Sequence, residues 1–121
     1  MEVYKTRWTT RFVRRERISD KSLVEAVQRA ERGLIDADLG SGLIKQRVAR
    51  VGQGRSGGYR MLLAYRAGER AVFIYGFAKN ERDNADPDQL STAREQTTYR
   101  LSADERQIEQ ALAGGGIQEI F

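Results

Sequence analysis

The chain has 121 residues, with 21 Lys and Arg against 17 Asp and Glu and a formal net charge of +4. At 40% hydrophobic and 31% charged it fits one globular domain over residues 1–121, with a single modest core, rather than a disordered segment or two domains. It contains no Cys and no His, which removes disulfides, thiol nucleophiles, imidazole general bases and His/Cys metal sites.

Its apolar runs fall well short of the roughly 20 residues that span a bilayer, and the opening MEVYKTRW has no signal core. No membrane partner, metal or cofactor is expected, and the cytoplasm is the expected compartment.

Residues 3–5 read as a short first strand. Thr9 or Thr10 is positioned to cap a short helix to about Arg17, with Phe12 and Val13 inward. Ser19 and Asp20 open a second helix. Its Leu23, Val27 and Ala30 share one face, its Glu25 and Arg29 are spaced for an outer i,i+4 ion pair, and Gly33 stops it.

A loop over residues 34–42 leads to three strands. Residues 43–50 alternate, with Ile44 and Val48 on one face and Lys45 and Arg47 on the other. Residues 58–66 (GYRMLLAYR) are mostly apolar apart from Arg60. Residues 71–78 (AVFIYGFA) are apolar nearly throughout, as in a central strand covered on both faces. Residues 67–70 make a tight hairpin and residues 52–57 a longer one.

Asp86-Pro87-Asp88 starts a third helix, with Leu90, Ala93 and Leu101 inward. Ser102 and Glu105 read as a capping box for a fourth, which carries Ile108 and Leu112 and ends at Gly114-Gly115-Gly116. Residues 117–121 read as an edge strand. The expected fold is α+β, a small and mostly antiparallel sheet with helices packed on one face and Lys45, Arg47 and Arg60 on the other.

Charge is unevenly spread. Residues 43–82 hold nine Lys and Arg against Glu69 and Glu81, a local +7, while residues 83–121 sum to −5. A cationic patch on a rigid sheet suits a polyanion. Gly52-Gln-Gly-Arg-Ser-Gly57 matches GxGxxG in form only, because it leads into a strand rather than a helix, and no Lys-Ser/Thr follows for a Walker loop. It reads as a hairpin loop whose Arg55 and amides can close on a phosphate backbone.

Arg60, a fixed cation in an apolar strand, suits bidentate phosphate recognition. Lys45 and Arg47 can contact phosphate or sugar beside it. Lys79 and Arg82 flank the end of the last central strand. Arg50 and Tyr59 join Arg55 as candidate RNA-binding residues. Tyr59, Tyr65 and Tyr75 can stack on bases or fill the core.

With IKQRVAR, the Gly-rich turn, SGGYRMLLAYR and GFAKNERDN in view, the chain resembles the RelE/HigB family of bacterial type II toxins, most closely its HigB-like branch. The resemblance runs from about residue 34 to residue 90. It implies a RelE-like fold and an endonuclease acting on mRNA in the ribosomal A site. The implied partner is a helix-turn-helix, HigA-like antitoxin, and the complex reaches operator DNA only through that antitoxin.

Carried over by position, Arg60 matches the family's strand arginine at the scissile phosphate. Lys45 and Arg47 match the basic pair of the preceding strand, and Lys79 and Arg82 match the basic segment after the last central one. The sequence departs from the pattern at Asn80, where some relatives have a catalytic Arg, and at Asp86, where some have a Tyr.

In the implied reaction the RNA 2′-hydroxyl attacks the adjacent phosphate. Arg60 stabilises the pentavalent charge, Lys45 or Arg47 acidifies the 2′-hydroxyl, and Lys79 or Arg82 assists the leaving oxygen. Two other readings compete. A ParE-like toxin shares the fold but poisons DNA gyrase, and a non-catalytic RNA- or ribosome-binding module has the patch without the chemistry. Strand pairing at the 117–121 edge, in a homodimer or with the antitoxin, is a further expectation.

Overall fold

The computed structural model describes residues 1–50, 54–79 and 84–120, the side chains of residues 54–56 apart. The elements in chain order are β1 (Glu2–Thr6), α1 (Arg7–Glu16), α2 (Asp20–Glu31), β2 (Ala37–Asp38), β3 (Leu43–Arg50), β4 (Gly54–Arg66), β5 (Arg70–Ala78), α3 (Pro87–Ser102), α4 (Glu105–Ala113) and β6 (Ile117–Glu119). Among the described residues no helix is long and apolar enough to cross a membrane.

The strands form one sheet in the order β2-β3-β4-β5-β1-β6. β1 runs parallel to β5, and the other pairings are antiparallel. The α+β class and the mostly antiparallel sheet are as expected, and β6 is the edge strand read from the C-terminal residues.

The helix boundaries follow from the caps. The Thr6 hydroxyl, not Thr9 or Thr10, accepts the Thr9 amide and starts α1. Ser19 caps α2 as expected. Asp86 and Gln89 form a reciprocal capping box on α3. Asp104 and Gln107 do the same for α4, so Ser102 ends α3 instead of opening the next helix.

The distribution of helices over the sheet differs from the expectation. α1 and α2 cover one face, where Phe12, Leu23, Ala26 and Val27 pack with Val48, Met61, Leu63 and Phe73. α3 and α4 cover part of the other, where Ala93, Leu101 and Ile108 pack with Leu43, Leu62, Val72 and Ile74. The physical reason lies in β4 and β5. Successive residues of a strand face opposite ways, and both strands are apolar at successive positions, so both faces need cover. One sheet therefore divides the apolar interior into two layers.

A close approach also shapes β4. A Cβ on Gly58 would lie 2.2 Å from the Val48 carbonyl oxygen and 2.7 Å from the Arg50 nitrogen. The β3–β4 register shifts at this point, between Val48 and Arg50. Gly58 lets the two backbones meet there, two residues before Arg60.

Candidate nucleic-acid interface

β3 and β4 bring the expected cations onto one face. Lys45 and Arg47 alternate with the buried Ile44, Gln46 and Val48. Arg47 lies directly opposite Arg60, and Lys45 lies opposite Leu62. On the far side of β4, Arg60 pairs with Phe77 and Leu62 with Tyr75.

Three cations thus share one corner of the second face, just past the apolar part under α3. Arg60 is only 7% exposed, and its Nη1 lies 3.5 Å from the Tyr59 carbonyl oxygen. Lys45 Nζ donates to Asn84 Oδ1 at 2.8 Å. The amide is neutral, so it orients the ammonium without cancelling its charge. Arg47 points into solvent. Like charges directly opposite across a strand pair repel.

A second set of residues fixes β3 from behind. Asp36 Oδ2 accepts the Arg47 amide at 2.7 Å and Arg29 Nη1 at 3.1 Å. The Arg29 guanidinium also donates from Nε to Glu25 Oε1 at 2.9 Å and from Nη2 to the Arg47 carbonyl. Gln46, fully buried, donates to the Ala26 and Leu34 carbonyls and accepts the Asp36 amide at 2.7 Å.

Burial works against the Asp36 carboxylate, but the Arg47 amide and the Arg29 guanidinium outweigh it and hold the group below its ordinary 3.8. Arg29 is 4% exposed. The expected outer Glu25–Arg29 pair is therefore the rim of a buried clamp, and both polar groups of the Arg47 backbone are tied into it. Sequence reading missed Gln46, Asp36 and Arg29 as positioning residues. The available signal was that Arg29 stands on the inward stripe, three residues after Ala26.

The remaining candidates divide. Lys79 follows β5 two residues beyond Phe77, and its amide donates to the Gly58 carbonyl at 3.0 Å. It is exposed at the same end of the sheet as Arg60. Tyr59 and Arg50 do not join the cationic row. Strand alternation sends Tyr59 to the α1/α2 face, where it is 1% exposed and its hydroxyl donates to Glu16 Oε1 at 3.1 Å. Arg50 Cζ sits 5.7 Å from the Tyr59 ring centroid, also away from the row. Tyr65 is on the Tyr59 side and donates its hydroxyl to Glu31. Arg82 and the side chain of Arg55 lie outside the described residues.

A family model described as "RelE toxin of RelE / RelB toxin-antitoxin system" matches residues 1–120. The chain belongs to the RelE toxin family. Neither a curated protein nor a solved structure matches it. Membership accounts for the α+β sheet and makes the protein the toxin component of a toxin–antitoxin system, which implies an antitoxin partner.

Proposed function

We propose that this RelE-family toxin is a ribosome-dependent mRNA endonuclease of the HigB-like branch that halts translation. The observation that carries the reading is the facing of Arg47 and Arg60 across β3 and β4, with Lys45 on the same face. Two rigid strands supply fixed positive charge where a phosphodiester oxygen becomes more negative.

In this reading the 2′-oxygen bonds to phosphorus, the bond to the 5′-oxygen breaks, and a 2′,3′-cyclic phosphate and a 5′-hydroxyl result. Arg60 holds the non-bridging oxygens as charge builds. Lys45 and Arg47 grip the 2′-hydroxyl side, and Lys79 and Arg82 are assigned to the departing oxygen. An arginine keeps its proton near neutral pH, so Arg47 and Arg60 act by charge and geometry. A ribosome that presents the strand already bent supplies the orientation that free RNA lacks. The antitoxin proposed here is a HigA-like helix-turn-helix protein that covers or flanks the basic face, and the complex meets operator DNA through it.

The test is primer extension on a reporter transcript in a bacterial translation extract. Wild-type protein should give discrete cuts, and Arg60→Ala should lower cutting by about a hundredfold or more. Full activity in that variant overturns the role of Arg60. Intact mRNA with accumulating DNA breaks replaces the reading with gyrase poisoning. Salt-sensitive ribosome binding without any cuts replaces it with a non-catalytic module.

A further inference from the structure

A second concavity opens on the same sheet face as the cationic row. It lies between the start of α1, the middle of β5 and the length of α3, and it encloses about 560 Å³. Its walls are mostly apolar. Trp8 and Tyr75 form one side with ring centroids 4.4 Å apart, and Ile74 and Ala93 line the floor. Trp8 is 40% exposed although its ring is apolar.

At the α3 wall two polar atoms have no hydrogen-bond partner among the described residues. Gln96 Oε1 and Arg100 Nε are both buried and both unbonded, one helical turn apart. Folded proteins rarely leave a buried acceptor and a buried donor unsatisfied side by side. No carboxylate pairs with the Arg100 guanidinium among the described residues, and burial pulls its pKa below the ordinary guanidinium value. Neither atom gives up a hydrogen bond in turning toward a ligand. A ligand that fits these walls is flat and apolar in body, with a donor beside an acceptor on its edge.

The position of the cavity narrows the choice. Tyr75 pairs with Leu62, which stands two residues from Arg60 on the same face of β4. Diagonal neighbours of this kind are about 7–8 Å apart, close to one nucleotide step of an extended single strand. A strand whose phosphate rests on Arg60 thus brings an adjoining base to the mouth of the cavity. Bases of single-stranded RNA are commonly splayed out, packed against apolar and aromatic side chains and read on their edges by amides and guanidinium groups.

We propose that this cavity is a nucleobase pocket. It would receive one base next to the cut phosphate, with Gln96 accepting from the base edge and Arg100 donating to it. The inference rests on the reading of the cationic row as an RNA-cleaving site, but binding to the pocket can be measured without cleavage.

Trp8 is the single tryptophan of the chain and reports on the pocket directly. The experiment is titration of the full chain with each of the four ribonucleoside 5′-monophosphates, following Trp8 fluorescence. At least one should give a saturable change, and Gln96→Leu should weaken its binding by about tenfold, the loss of one hydrogen bond. Circular dichroism shows whether the variant folds, and the wild-type titration is decisive even where the variant does not.

A flat wild-type titration with all four nucleotides overturns the proposal, whatever the cleavage assay gives. A Trp8 response to the antitoxin alone also overturns it and assigns the cavity to a protein segment. A saturable nucleotide response in a protein that cuts no RNA sinks the cleavage reading and leaves the pocket standing.

Discussion

The clamp behind β3 makes a quantitative demand on Arg29. Arg29→Met keeps much of the buried stem but deletes the guanidinium of a side chain that is only 5% exposed. The bond to Asp36, whose side chain is 24% exposed, is charge-assisted and contributes about 1.5–3 kcal/mol. The bond to the Arg47 carbonyl adds about 1 kcal/mol. The pair with Glu25, whose side chain is 46% exposed, is discounted to about 0.3 kcal/mol. The sum is about 3–4 kcal/mol.

For a domain of this length, urea unfolding at pH 7 should show that loss, and the melting temperature should fall by about 10 °C. The pH dependence carries a sign. The folded Asp36 pKa lies below 3.8, so its contribution is complete above the unfolded pKa and is lost as pH falls through the folded one. The difference between wild type and Arg29→Met should therefore narrow as pH drops from about 5 to about 3. A loss under about 1 kcal/mol at pH 7, or a difference that does not change over that pH window, refutes the clamp.

Arg47→Thr should relieve like-charge repulsion against Arg60 and suit a strand better, raising stability by about 0.5 kcal/mol while lowering cleavage; a destabilisation above about 1 kcal/mol in urea unfolding would show that Arg47 is held by packing instead. Gly58→Ala would place a Cβ 2.2 Å from the Val48 carbonyl oxygen, so β3 and β4 must separate beside Arg60. The expected cost is about 3 kcal/mol, read as a lower urea midpoint; an unchanged midpoint would mean that the close approach does not hold in solution.

Much of the fold was legible because local chemistry decides it. The place of β3 follows from the alternation of Ile44 and Val48 with Lys45 and Arg47, and Asp86-Pro87 and Ser19 announce helix starts by their capping chemistry. The bare fact that Tyr59 and Arg60 are neighbours in a strand already forbids them a common face. The two-sided cover of the sheet was also written in the unbroken apolar run of β5, although one helical layer is the simpler reading of the element order.

What escaped depends on long-range register and on side chains from separate elements. The facing of Arg47 and Arg60 needs the β3–β4 pairing, which a shift between Val48 and Arg50 sets. The pocket draws Trp8 from α1, Tyr75 from β5 and Gln96 with Arg100 from α3. In sequence those last two look like an ordinary polar helix surface.

The cationic row and its clamp make opposite contributions to stability, and that opposition is informative. Setting Arg47 across from Arg60 works against folding, because like charges directly opposite on paired strands repel. The buried network of Arg29, Asp36 and Gln46 works for folding, and it acts on the backbone of the same strand, at Arg47. A structural role alone would be served better by Thr or Val on both strands, with no clamp needed. Repulsive charge held by a dedicated support returns free energy when an anion arrives between the guanidinium groups, because the repulsion then becomes attraction and the support need not reorganise. The same reasoning explains why the support lies on the α2 side of the sheet: it can be buried and dry there while Lys45 and Arg47 keep access to solvent on the other face.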